Sequence, residues 1–244
     1  MLAPEQLEQY REDGYAVGDA LLSESELAHL RREIDALIAA LGPGQRPENL
    51  PSCHYENAYL RGLFLSDPLV DVAEQILGPD IALLTSYIIS KRPGGGLAVA
   101  GHQDAAFFPI KPMETFTLWL AVDDSNVENG CMRVLPASHK SRQVLTHKVD
   151  TSPVTTLALS LDNLDLSAAR NVELKAGAYS VHDPFLLHGS NPNHSKHRRC
   201  GITIKYIPTH VRIDRTWVSP SNFDWRKLRL YLARGKGGAH EQYY

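Results

Sequence analysis

His102, Asp104 and His188 are residues of the types, and at the spacing, that can hold a metal ion. In an extended chain, side chains two apart point to the same side. His102 and Asp104, with Gln103 between them, can therefore offer an imidazole nitrogen and a carboxylate oxygen to one ion. His188 ends the apolar run Phe185-Leu186-Leu187, just before the turn Gly189-Ser190-Asn191-Pro192-Asn193, and is the expected third ligand. Two histidines and one carboxylate make the facial set that binds non-haem Fe(II) and leaves positions open for other ligands. An isolated H-x-D pair is a weak signal, since a chain with 11 histidines supplies about one by chance. The accompanying residues carry the weight.

Arg199 stands eleven residues past His188, and a hairpin is expected to return it to the metal. A keto-acid cosubstrate chelates the iron at one end, and its far carboxylate needs a planar, permanently charged fork. Arg198 competes for that role. In a strand, Arg198 shares a face with Cys200, Ile202, Ile204 and Tyr206, an outward-packing apolar set, whereas Arg199 shares one with Gly201, Thr203 and Lys205. The small, polar face suits a ligand-filled interior and selects Arg199. His182-Asp183 is read as a decoy, because neighbours on a strand face opposite ways. Ser138 and His139 lack a supporting acid, which argues against a hydrolytic triad, and His139-Lys140 reads as a surface turn. Residues 194–198 read as a solvated hairpin tip. Gly94-Gly95-Gly96 lacks the strand and helix context of a dinucleotide site and reads as a turn.

These residues need a scaffold. Residues 4–13 are expected to form a short helix ending at Gly14, followed by extended Tyr15-Ala16-Val17. Ser23 with Glu26 is a capping box, and Leu27, Leu30, Ile34, Leu37, Ile38 and Leu41 recur at helical spacing up to Gly42-Pro43-Gly44. Residues 42–62 read as a loop, and a second amphipathic helix starts at Asp67-Pro68 and stops at Gly78-Pro79. Beyond residue 80 the period becomes that of short strands: 81–90, 115–122, 131–135, 172–174, 178–182 and 201–207, bounded by turn residues. Residues 146–170 are a long segment of weak periodicity, and a helix is expected from Asp224 to Ala233. The pattern predicts one domain over 1–244, mainly β with flanking helices. Its parts are a helical region at 1–80, a barrel or sandwich core at about 81–210 and a C-terminal extension at 211–244.

Composition narrows the function. A net charge of −3 provides no basic field for nucleic acid or an anionic membrane. Three widely spaced cysteines read as reduced thiols in a cytoplasmic protein. No apolar run approaches ~18 residues, so no membrane span is expected.

Further stretches accompany the ligands: Asp13-Gly14-Tyr15 before the Ser23 helix, Phe107-Phe108-Pro109 after His102-Gln103-Asp104, Trp119, and the run from Asn129-Gly130-Cys131-Met132 to Ser138-His139-Lys140. With His188-Gly189-Ser190 and Arg199, the chain from roughly Leu7 to Ile207 resembles the phytanoyl-CoA dioxygenase family of Fe(II)/2-oxoglutarate oxygenases. The resemblance implies a double-stranded β-helix, the jelly-roll or cupin-like core. It implies His102, Asp104 and His188 as iron ligands, Arg199 gripping 2-oxoglutarate, and Gln103, Trp119 and Ser190 lining the cosubstrate pocket. The implied reaction consumes O2 and 2-oxoglutarate, gives succinate and CO2, and hydroxylates or otherwise oxidises a C–H bond of a small-molecule metabolite. Halogenating relatives carry Ala or Gly at the Asp104 position, so the carboxylate favours hydroxylation. Arg61, Arg133 and Lys205 point to an anionic substrate, and lid segments are expected at 42–62, 105–114, 146–170 and within 210–244. The competing readings are a jelly-roll binder or sensor without catalysis, and a jelly-roll metalloenzyme of another reaction type.

Overall fold

In a computed structural model, which describes all residues except 152–154, 163, 222 and 241, two antiparallel sheets face each other with helices packed outside. The larger sheet runs, strand by strand, Tyr15–Gly18, Tyr179–His182, Phe116–Ala121, Arg199–Pro208, Ile81–Lys91 and Tyr231–Arg234, and Leu50–Pro51 also pairs with Ile81–Lys91. The smaller sheet runs Arg170–Val172, Met132–Val134, His188–Ser190 and Val99–His102. This is the expected mainly-β jelly roll with helices at its N-terminal side.

The helices form where the sequence signals them. Ser23 caps the Glu24–Ala39 helix by accepting from the Glu26 N–H, and Glu26 returns a bond to the Ser23 N–H. A cap of this kind contributes about 1 kcal/mol. Leu27, Leu30 and Ile34 of that helix are buried, as are Leu69, Val70, Val72 and Ala73 of the Asp67–Leu77 helix. They cover the outer face of the large sheet, packing in one cluster with Leu118, Leu120, Ile202, Ile204 and Tyr206. The Pro4–Asp13 helix ends at Gly14, whose φ of +81° and contact with the His139 ring both exclude a side chain. His139 is buried and its Nε2 lies 3.0 Å from the Arg11 carbonyl, so it seats this helix end.

Two expectations fail. Residues 42–62 are more than a loop: Asn57 caps a helix over Ala58–Phe64 through the Leu60 N–H, and Leu60 and Phe64 enter the core one turn apart. The expected Asp224–Ala233 helix is instead a single 3-10 turn at Trp225–Lys227, then the strand Tyr231–Arg234. Tyr231 and Leu232 pair with Leu83 and Ala82, where the large sheet has an open edge. An unpaired ladder of N–H and C=O groups outweighs a weak helical spacing. No described helix is long and apolar enough to cross a membrane.

Candidate active site

His102 ends one strand of the small sheet and His188 begins the neighbouring one, and the two are direct cross-strand partners. Their ring centroids are 4.1 Å apart. Each ring spends Nδ1 on a backbone carbonyl two residues back, His102 on Ala100 at 2.8 Å and His188 on Leu186 at 2.9 Å. Nδ1 is thereby the nitrogen that donates to a carbonyl, so in a neutral ring Nε2 is the one available as a ligand. Asp104 opens the short 3-10 segment that follows, with Oδ1 3.6 Å from His102 Nε2. One ligand atom from each of the three buried residues lies within 4.8 Å of the others. Two neutral imidazoles and a carboxylate are the donor set that non-haem iron takes, so the residues present fit that metal.

The facing sheet clamps the carboxylate. His182, Thr117 and Lys205 lie side by side on three adjacent strands, in register. All three reach Asp104 Oδ2: Thr117 Oγ1 donates at 2.5 Å, and His182 Nε2 and Lys205 Nζ lie at 3.3 and 3.5 Å. Burial alone would raise the Asp104 carboxyl, but Lys205, with the His102 and His182 rings, holds it well below the usual carboxylate range. Burial, reinforced by the His102 and His182 rings, lowers His188 far enough to keep it neutral.

The other end of the cavity is positive. Arg199 is 2% exposed, and burial lowers its guanidinium to about 10. Its Nε and Nη2 donate to the Gly130 carbonyl at 3.1 and 2.6 Å, and Nη2 also reaches Ser190 Oγ at 3.3 Å. The Trp119 ring lies 5.3 Å from the guanidinium carbon and occupies the space a side chain at Gly201 would need. A small residue two positions past Arg199 is thus what lets the indole lie over the sheet. Arg199 arrives differently from the expected hairpin. His188–Ser190 belongs to the small sheet and Arg199–Pro208 to the large one, so the connection crosses between sheets and encloses the cavity.

His102, Asp104, His188, Trp119, Ser190, Arg199 and Lys205 all line one cavity of about 110 Å³. Gln103 does not. Its side chain faces away from His102 and Asp104, which flank it, donating to the carbonyls of Gln143 and Phe185 and accepting from the Leu145 N–H, so it fastens the 142–147 segment. Arg61 and Arg133 also lie outside: Arg61 binds the carbonyls of His54 and Tyr55, and Arg133 that of Leu166. Arg198 packs outward against Asp123 and Asp35. Asp183 pairs with Arg142, while His182, read from sequence as a decoy, stands beside Asp104. Alternation separated His182 from Asp183 correctly, but it could not say which of them faced inward. Thr117 carried one usable signal, being two residues before Trp119. Each expected lid segment contributes to the cavity wall: Asn49, Phe107 and Phe108, Leu157 and Ala158, and Ser221. The parts of 146–170 at 152–154 and 163 lie outside the described residues.

The family model for phytanoyl-CoA dioxygenase matches residues 10–201. A probable alpha-ketoglutarate-dependent hypophosphite dioxygenase of Stutzerimonas stutzeri is 29% identical over 226 residues, covering 83% of this chain and 77% of the relative. The peroxisomal phytanoyl-CoA dioxygenase of Bos taurus is 24% identical over 250 residues, covering 92% of this chain and 74% of that protein. Among solved structures, the non-heme monooxygenase ThoJ superposes with a TM-score of 0.77 at 24% identity, over 95% of this chain and 85% of that one, which shows the shared fold. The chain belongs to the phytanoyl-CoA dioxygenase family and is an iron- and 2-oxoglutarate-dependent oxygenase of small molecules.

Proposed function

We propose that His102, Asp104 and His188 hold Fe(II), that Arg199 with Ser190 and Trp119 anchors 2-oxoglutarate, and that the substrate is a small molecule bearing an anionic group that meets Lys205. Bound iron and 2-oxoglutarate supply the oxidising chemistry, in which O2 and 2-oxoglutarate become succinate and CO2 while a substrate C–H bond is oxidised, with hydroxylation the favoured outcome. The observation that carries this reading is convergence. A cross-strand histidine pair, a clamped carboxylate and a buried arginine come from five strands and a 3-10 turn to line one cavity.

The protein's part is to bind, orient and exclude water. Thr117, His182 and Lys205 occupy Asp104 Oδ2 and leave Oδ1 on the side of His102, which favours one carboxylate oxygen for the metal. Phe107, Phe108 and Leu157 supply an apolar wall to the cavity, of the kind that disfavours water beside the reacting groups. Lys205 is 4% exposed, and Asp104, already shared with Thr117 and His182, is its one carboxylate partner among the described residues. Its Nζ lies 5.7 Å from the Tyr87 ring centre and 5.6 Å from that of Phe108, a cation between two aromatic walls. The relative named for hypophosphite has a small oxyanion in its name, and such anions belong in a substrate panel with small amino and keto acids.

The test loads apo-protein with Fe(II) and 2-oxoglutarate without oxygen and looks for the visible charge-transfer band. Oxygen is then admitted with the panel, and succinate is quantified. A band with succinate that rises on adding an anionic panel member is expected. No band, in protein carrying stoichiometric iron, contradicts the anchoring role of Arg199. A band with no substrate-stimulated succinate favours the binder.

A further inference from the structure

Lys91 stands behind the cosubstrate end of the cavity and takes no part in the roles above. Alternation along the Ile81–Lys91 strand puts it on the inner face with Tyr87 and Ile89, and it is the register partner of Arg199. Lys91 is 0% exposed, so two basic groups are buried side by side. Their hydrogen-bond partners are neutral oxygens. Lys91 Nζ donates to Ser190 Oγ at 2.6 Å and to the Asn191 carbonyl, and Arg199 binds Gly130 and Ser190. Glu48, also buried, lies 3.5 Å from Arg92, and neither Lys91 nor Arg199 makes an ion pair among the described residues. Buried cations held only by neutral groups leave charge for a ligand to neutralise.

Ser190 is where the two cations meet. A hydroxyl has two lone pairs and one hydrogen, and an ammonium has donors only. With its lone pairs facing Lys91 and Arg199, the Ser190 hydroxyl directs its hydrogen elsewhere, and its residue lines the cavity. We infer that Lys91 is a positioning residue for the cosubstrate: by occupying one lone pair of Ser190 Oγ, it fixes that hydroxyl as a donor to the far carboxylate of 2-oxoglutarate, beside Arg199. This rests on the proposed anchoring role of Arg199. Burial and the adjacent guanidinium push the Lys91 amine down to about 6, so the ammonium form on which this donor role depends is the one a bound carboxylate stabilises.

The test is calorimetric titration of 2-oxoglutarate into Mn(II)-loaded protein without oxygen, so the readout is affinity and not turnover. Lys91→Met is expected to weaken binding about 10-fold and Ser190→Ala by a similar factor, as for one lost hydrogen bond to a charged group. Because both remove the same donor, the double variant is expected to lose about 10-fold in all, not the ~100-fold of independent sites. 2-Oxobutanoate, which lacks the far carboxylate, is expected to bind wild type and Lys91→Met alike. A merely structural role would weaken both ligands together. Unchanged 2-oxoglutarate affinity in Lys91→Met, a multiplicative loss in the double variant, or equal losses for both ligands would each overturn the inference alone. Wild type that does not bind 2-oxoglutarate would overturn the anchoring role and this inference with it. Should Lys91→Met fail to fold, Lys91→Gln, which keeps a neutral donor at the position, carries the same comparison with a smaller expected loss.

Discussion

At the Asp104 end of the cavity a buried carboxylate faces a buried ammonium, the Thr117 hydroxyl and the His182 ring, whereas at the Arg199 end two buried basic groups meet only neutral oxygens. The first arrangement is complete within the chain. Its carboxylate stays ionised and oriented with no ligand present, which is what a preformed metal site requires. The second is complete only when an anion arrives. On the proposed roles, the chain builds its metal end for stability and orientation, and leaves its cosubstrate end in need of a partner.

Asp104→Ala tests the contrast most severely. It should abolish stoichiometric metal binding and, by stranding the Lys205 ammonium, cost about 3 kcal/mol in stability. Metal analysis and denaturant unfolding of the apo-protein check both. The sign of the pH effect follows from the low Asp104 carboxyl. Its contribution is present above the ordinary aspartate value near ~4 and is lost as pH falls through the lower folded-state value. The stability gap between wild type and Asp104→Ala should therefore narrow in acid.

Arg199→Met should act in the opposite sense. We expect 2-oxoglutarate affinity to fall about 100-fold while the unfolding midpoint of the apo-protein stays level or rises, since an unpaired buried charge is replaced by an apolar chain. If it destabilised the apo-protein as Asp104→Ala does, the two ends would not differ as described. Thr117→Val, nearly isosteric, removes one donor to Asp104 Oδ2 and should weaken metal binding about 10-fold with little change in the 2-oxoglutarate affinity of metal-saturated protein. Gln103→Ala belongs to neither end. Metal and 2-oxoglutarate affinities should hold, while limited proteolysis within 142–147 speeds up, because the amide that fastens that segment is gone.

Much of the site was legible because its rules are local. Alternation put His102 and Asp104 on one side, turned Gln103 to the other, and separated Arg199 from Arg198. Implying Gln103 as a pocket residue set the family pattern above that alternation, and the geometry follows the alternation. The segment expected as an Asp224–Ala233 helix departs from that expectation because a sheet edge competes for it. Trp225, Leu228 and Tyr231 have helical spacing, but a free sheet edge at Ala82 and Leu83 was waiting for them.

By itself, then, the sequence determined the candidate ligand types, the faces of the strands, the capped N-terminal helices and the arginine that looks inward, all from rules reaching four residues or fewer. Tertiary structure alone decided that Thr117, His182 and Lys205 form one row over Asp104, and that Lys91 lies beneath Ser190. Those contacts join strands dozens of residues apart. Their register is set by which hydrophobic faces pack on the helices, and no short stretch of chain contains that information.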